Sequence, residues 1–269
     1  MGVMELYDCH IHSTFSPDGK SRVSEYADVI GKGGLKGIGF AEHLDFLPEC
    51  GAYGFLDYRG YTASVKEYRD KGYAVYAGAE VDYSLSVQQE ILKRLNEESY
   101  DFTICSIHNA GGRPVSDRKT EHFYDRDIFF NTIESYYKEL KSSIKVEVFD
   151  AIGHIGVFRR HLTEDFYRDE KLNRWLDELD DEVARLCASS DKIVEVNSSG
   201  LFSACNSILP RVSILKAYFN YRGRRVCMSS DAHDVLHTAR GFDTVREILL
   251  DIGFRHVYLP WDKEHPANL

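Results

Sequence analysis

Two histidines two residues apart, His10 and His12, stand in the run Leu6-Tyr7-Asp8-Cys9-His10-Ile11-His12-Ser13. In a strand, the period of two puts both imidazoles on one face. Two neutral imidazoles so placed, followed by the turn Ser16-Pro17-Asp18-Gly19, make a chelating pair for a divalent metal. The arrangement returns near the other end of the chain, where Asp231-Ala232-His233 follows the apolar run Val226-Cys227-Met228. One such pair says little. Two at opposite ends predict a closed fold that brings them together.

The elements that must position these residues alternate along the chain. Short apolar or β-branched runs predict strands over Leu6 to His12, Gly37 to His43, Ala74 to Val81, Phe102 to His108, Phe149 to Val157, Ile193 to Asn197 and Arg225 to Ser230, with a weaker run over His256 to Leu259. Amphipathic stretches predict helices over Ser21 to Gly33, Tyr58 to Lys71, Val87 to Glu97, Ile128 to Lys141, Leu172 to Ala188, Val212 to Tyr221 and Thr244 to Ile252. Ser21 and Ser86 are the expected N-caps, and Gly33-Gly34 and Gly72 the expected C-terminal stops. Strand–helix repeats with no Pro/Gly/Ser-rich linker predict one parallel α/β domain over residues 1–269. A barrel is favoured over an open doubly wound sheet. Gly111 to Asp127 and Ser199 to Pro210 read as loops at one end of the strands, where an α/β barrel keeps its site.

On that map the ligand-type residues fall into place. His10 and His12 end the first strand, and Asp18 follows in its loop. His43 ends the second, Glu80 lies near the end of the third, His108 ends the fourth, His154 lies in the fifth, and Asp231 and His233 close the seventh. Each is at or just past the C-terminal end of a parallel strand, and in a barrel those ends converge on one mouth. A lone strand histidine is more often a satisfied core or surface residue, and that reading is kept for Cys9, Cys105, His122, His161, His256 and His265. For the whole set it would bury many polar groups at one sheet end, each needing a partner. Metal ions satisfy them together. The set is too large for one tetrahedral zinc and predicts two or three clustered metals, with a carboxylate such as Glu80 bridging two. Three divalent ions against Asp18, Glu80 and Asp231 leave a positive centre that a phosphomonoester dianion neutralises, and such a cluster generates hydroxide near neutral pH.

Bulk properties narrow the setting. With 43% hydrophobic and 28% charged residues the chain of 269 residues has the makings of a sizeable core rather than a disordered ensemble. A net charge of −10 opposes non-specific nucleic-acid binding and does not favour anionic membranes. The six cysteines include no CxxC pair and read as reduced thiols. There is no run of membrane-helix length and no basic-then-apolar leader, so a cytoplasmic protein without a membrane partner is expected. Oligomeric state has no signature here.

His10-Ile11-His12 with Ser16-Pro17-Asp18-Gly19, Ala41-Glu42-His43, Gly78-Ala79-Glu80, Ser106-Ile107-His108, Gly153-His154 and Ser230-Asp231-Ala232-His233 occur in an order that resembles the PHP (polymerase and histidinol phosphatase) superfamily. Phe15 to Gly19, the run from Phe149 through His154 to Arg160, Glu195 to Leu201 and Leu249 to Phe254 are similar to its stand-alone histidinol-phosphate phosphatases. The resemblance implies a distorted (β/α)7 barrel with a metal site at the C-terminal strand ends. It implies three divalent ions (Zn, Mn or Fe): one on His10, His12, Glu80 and Asp231, one on Asp18, His43 and His233, one on Glu80, His108 and His154. It further implies Arg160, Asn197, Ser198 and Arg211 as substrate-binding residues, with Asp231, His233 and Arg160 in catalysis. Where the superfamily commonly has a second arginine after the Asn-Thr-Ser-Gly-like turn, this chain has Phe202.

The expected activity is therefore metal-dependent hydrolysis of a small phosphomonoester, L-histidinol phosphate going to L-histidinol and phosphate in histidine biosynthesis. The alternatives are another small phosphomonoester or a nucleotide as substrate, and a metal-binding scaffold with a decayed site. The filled ligand positions argue against decay. An amidohydrolase-like reading is weaker, because no lysine stands at a strand end beside the ligands. Arg159 and Arg160 are also open to the bland reading of a surface pair.

Overall fold

Seven apolar segments form one parallel sheet with helices packed between consecutive strands, in a computed structural model that describes residues 5–32, 34–116, 125–162 and 168–269. The strands are β1 (Leu6–Ile11), β2 (Leu35–Leu44), β3 (Val75–Asp82), β4 (Phe102–Ser106), β7 (Ala151–Ile152), β8 (Ile193–Asn197) and β9 (Val226–Ser229), hydrogen-bonded in that order. Two short antiparallel hairpins lie outside the sheet: β5 (Asn109–Ala110) with β6 (Arg113–Pro114), and β10 (His256–Leu259) with β11 (Asp262–Asn268). The helices are α1 (Val23–Ala27), α2 (Tyr58–Asp70), α3 (Gln88–Glu97), α4 (Arg126–Ser143), α5 (Glu170–Ala188), α6 (Val212–Asn220) and α7 (Phe242–Ile252).

The sheet closes on itself just beyond the end of β1. There Ile11 bridges Ala232 in parallel, the His12 N–H donates to the Ala232 carbonyl at 2.8 Å and the Asp231 N–H donates to the His10 carbonyl at 2.8 Å. The two ends of the chain that carry HxH and DxH are thus stitched directly to each other. The result is the distorted (β/α)7 barrel.

Apolar periodicity explains the outer layer. Helix α4 buries Phe129, Ile133, Tyr136, Tyr137 and Leu140, spaced three and four apart along one stripe. Inside, Cys9, Ala41, Phe102, Ile104, Ala151, Ile193 and Cys227, drawn from six strands, pack together with Leu259. The β10–β11 hairpin brings Trp261 against this cluster, stacked on Tyr76 at 4.3 Å between centroids. A Cβ on Gly39 would lie 2.5 Å from the Trp261 ring, so only glycine permits that approach. The lower barrel is an apolar plug, and the polar residues are left to the upper end.

Several sequence expectations change. The helix expected over Ser21 to Gly33 is only Val23–Ala27. Ser21 does not cap it: Glu25 accepts the Arg22 N–H at 2.8 Å, while Ser21 Oγ accepts from the Val235 N–H at 3.0 Å. Nor does Ser86 cap α3, since a 3-10 turn over Leu85–Val87 precedes that helix and Ser84 is its cap. Gly72, with φ +92°, does end α2. The fifth strand shrinks from the expected Phe149 to Val157 to Ala151–Ile152, so His154 lies past it rather than in it. The run His256 to Leu259 is a strand, but one that pairs with β11 outside the barrel. Of the loop expected from Gly111, residues 117–124, which include His122, lie outside the described residues. Among the described residues no helix is long and apolar enough to cross a membrane.

Candidate metal centre

The strand ends deliver the ligand-type side chains to one cavity of about 620 Å³. Asp18, His43, Glu80, His108, His154, Asp231 and His233 line it together with Arg160. His10 and His12 lie beneath them, fully buried at 0% exposure. All nine residues expected as ligands therefore meet at one place.

Glu80, at the end of β3, is the hub. Its Oε1 accepts from Ser106 Oγ at 2.6 Å and lies 2.7 Å from His154 Nε2 and 3.2 Å from His108 Nε2. Its Oε2 lies 2.8 Å from His43 Nδ1 and 3.5 Å from both His10 Nε2 and His12 Nε2. Yet Oε2 is buried and makes no well-angled hydrogen bond. Nitrogen also faces nitrogen, with His10 Nε2 3.0 Å from His12 Nε2 and His108 Nε2 3.3 Å from His154 Nε2. Imidazole nitrogens facing one another around a carboxylate, crowded toward shared points, are an arrangement suited to holding cations. Among the described residues five convergent groups appear: His10, His12 and Asp231; His12, His43 and His233; Glu80, His108 and His154; and two that bring in Asp45, one with His43 and His108 and one with Cys50 and Asp82. Asp18 completes the outer edge, 3.5 Å from His43 Nε2 and 3.1 Å from His233 Nε2.

For three of the six imidazoles a supporting group fixes which nitrogen is presented. His10 Nδ1 donates to Glu195 at 2.6 Å, His12 Nδ1 to Ser16 Oγ at 3.1 Å and His233 Nδ1 to the Asp231 carbonyl at 2.9 Å. Each keeps its Nε2 lone pair inward, as metal ligands do. Ser16 Oγ in turn donates to Glu42 at 2.6 Å and receives the His43 N–H at 3.0 Å. Asp8 holds the opposite loop through the Ser230 N–H at 2.9 Å and the Ala239 N–H at 2.8 Å. A Cβ on Gly153 would sit 2.5 Å from Ser106 Oγ, so glycine is needed where His154 approaches Glu80. Asp231 itself has φ +55°, a left-handed conformation costly for a non-glycine residue and held here by the barrel closure.

Electrostatics reflect the crowding. Burial alone would push the Glu80 carboxyl up, but His108, His10 and His43 hold it well below the usual carboxylate range. Burial opposes protonation of His108, yet Glu80 overcomes it and raises that imidazole to about 9. Burial and the neighbouring His233 and His43 push His12 well down.

Arg160, on the 3-10 turn Val157–His161, donates to Asp231 Oδ2 at 2.6 Å and to Ser199 Oγ. Its neighbour Arg159 is not a surface charge but 1% exposed, paired with Asp180 at 2.7 Å. The other three residues expected to bind substrate have partners of their own. Arg211 is turned away, bound to Asp177 at 2.6 Å and to the same Asp180 at 2.8 Å. Asn197 is buried behind Asp231, donating to its Oδ2 at 3.3 Å, and Ser198 Oγ donates to the Arg240 carbonyl at 2.6 Å. None of the three lines the cavity. Phe202 is 46% exposed, with the Arg240 guanidinium 3.5 Å from its ring centroid.

Sequence reasoning missed the far wall, where Asp45, Glu49, Cys50 and Asn109 line the cavity. It also missed the buried acids Asp8, Glu42 and Glu195 as supports. Their signal was an acidic residue inside an otherwise apolar strand.

Residues 8–199 match the model of the PHP domain. A probable histidinol-phosphatase of Clostridium acetobutylicum is 26% identical over 234 residues, 85% of this chain and 86% of that protein. One of Thermotoga maritima is 24% identical over 254 residues, 94% of each. The crystal structure of histidinol phosphate phosphatase from Lactococcus lactis, complexed with zinc, L-histidinol and phosphate, superposes with a TM-score of 0.81. That similarity covers 97% of this chain and all of the other at 21% identity.

Proposed function

The chain belongs to the PHP-domain family, and from that premise we propose that it is a metal-dependent phosphatase hydrolysing L-histidinol phosphate to L-histidinol and phosphate. The observation that carries the metal dependence is Glu80, whose two buried oxygens lie among five imidazoles with no hydrogen bond to Oε2. The substrate rests on the histidinol-phosphatases among its relatives.

In this reading the site holds three divalent ions. His10, His12, Glu80 and Asp231 hold one, Asp18, His43 and His233 a second, and Glu80, His108 and His154 a third. Zinc, the ion in the Lactococcus lactis structure, fits imidazole and carboxylate donors, as do manganese and iron. Bound divalent ions supply Lewis acidity for phosphoryl oxygens and a nucleophile from water at neutral pH.

The protein's own groups do the rest. The Arg160 guanidinium, at the rim beside Asp231, offers forked donors to a phosphate and stabilises charge that develops on its oxygens. Asp231 and His233 line the same cavity beside it, on the side proposed for the leaving group. Ser199 and Asn197 hold Asp231 and Arg160 in register from behind. Phe202 favours a second reading, a different small phosphomonoester, because the arginine common in the superfamily is missing there. Phosphate release from L-histidinol phosphate by ion-replete protein, set beside other phosphomonoesters, tests the assignment.

A further inference from the structure

Glu195 lies in the middle of β8, an apolar strand, with 0% exposure. Its carboxylate takes no part in the chemistry proposed above, and it does not line the cavity. It is nevertheless fully used. One oxygen accepts from His10 Nδ1 at 2.6 Å and from Ser229 Oγ at 2.7 Å; the other accepts the backbone N–H of His154. One side chain therefore grips β1, β9 and the segment following β7.

The two histidines it grips belong to different triads. His10 converges with His12 and Asp231, whereas His154 converges with Glu80 and His108. The outer group of Asp18, His43 and His233 has no bond to Glu195. Its supports are Ser16, which receives the His43 N–H, and the Asp231 carbonyl, which receives His233 Nδ1.

Resting on the three-ion reading above, we propose that Glu195 is a positioning residue that ties two of the three ion sites together. By accepting the Nδ1 proton of His10 it fixes the tautomer that presents Nε2 inward, and by holding the His154 backbone it sets that ring against Glu80. A shift of this carboxylate moves one ligand of each inner site at once and leaves the outer site in place. Glu195→Gln keeps the size of the side chain but loses the charge. Its single carbonyl oxygen cannot accept from both His10 and His154, because the amide nitrogen is a donor.

The test is calorimetric titration of metal-free protein with Zn²⁺, for wild type, Glu195→Gln and Ser229→Ala, with thermal unfolding of each metal-free protein in parallel. For Glu195→Gln, two equivalents should weaken together by roughly 10- to 100-fold while the third is unchanged. Ser229→Ala removes one contact to the carboxylate without touching either histidine. It should shift the same two equivalents in the same direction by less, and it carries the test if Glu195→Gln does not fold. A loss confined to one equivalent, a uniform loss across all three, or no loss overturns the inference while leaving the metal-dependent reading intact. A wild type that binds no ion removes both.

Discussion

Arg160 Nη2 lies 2.6 Å from Asp231 Oδ2, and the other oxygen of the same carboxylate lies 3.4 Å from His12 Nε2. One aspartate thus faces the cluster of candidate ligands on one side and the guanidinium on the other. Arg160 is held at the edge of the cluster by a charge-assisted bond, which removes it from the class of loose surface arginines.

Arg160→Ala should accordingly lower kcat/KM by roughly 10- to 100-fold, the loss of about 1.5–3 kcal/mol expected for a charge-assisted contact. Ion content should be retained, because Asn197 still holds Asp231. Arg160→Lys should not restore the rate, since an ammonium lacks the forked donors. Steady-state kinetics with elemental analysis checks both. Wild-type kcat/KM in Arg160→Ala would remove Arg160 from the phosphate site.

Glu80→Gln should reduce bound metal and lower activity by orders of magnitude, with far-UV circular dichroism unchanged. The amide has one carbonyl oxygen and no charge, whereas the carboxylate serves imidazoles on both of its oxygens. A Gln variant with full ion content and full activity would show that the bridge lies elsewhere.

Asp180 predicts a stability effect well outside the cavity. It accepts from Tyr137, from Arg159 at 2.7 Å and from Arg211 at 2.8 Å, while Arg159 is 1% exposed. Asp180→Ala removes the buried carboxylate that Tyr137, Arg159 and Arg211 share, which should cost about 3–5 kcal/mol in chemical denaturation. A change within experimental error would mean that water replaces the pair.

The convergence of the candidate ligands was legible because metal chemistry restricts residue type and the barrel restricts position. His10, His12, Asp231 and His233 sit at strand ends that any closed parallel barrel must bring to one mouth. What the sequence hid was direction. Arg211 and Ser198 follow strand ends as much as Arg160 does, but Asp177 and Asp180 draw Arg211 away and the Arg240 carbonyl takes the Ser198 hydroxyl. The short fifth strand was hidden too, because Phe149 to Val157 is apolar whether it pairs in a sheet or packs in a loop. Ser21 and Ser86 failed as caps since tertiary partners and a 3-10 turn took their places.

Proton and ion compete for the same nitrogens. Although burial opposes it, Glu80 raises the His108 imidazole to about 9 in the ion-free protein, so this ring is charged at neutral pH. A pKa raised above its ordinary value of 6.5 contributes stability that is complete below that value and lost as pH climbs through about 9. Ion binding must expel this proton, so Zn²⁺ affinity should rise with pH between about 6 and about 8, with protons released. Titration in buffers of different ionisation enthalpy measures both. An affinity that does not change with pH would contradict the placement of His108 among the ligands.

The central claim is tested most directly by kcat/KM for phosphate release from L-histidinol phosphate, measured on the wild-type protein after reconstitution with Zn²⁺, Mn²⁺ or Fe²⁺. The same measurement on a hexose phosphate, glycerol phosphate and a nucleoside monophosphate provides the scale. The account predicts turnover that requires the divalent ion, is abolished by chelation, and is fastest for L-histidinol phosphate. No phosphate release from any of these by ion-replete protein would contradict the phosphatase assignment, and a strong preference for one of the other monoesters would contradict the substrate.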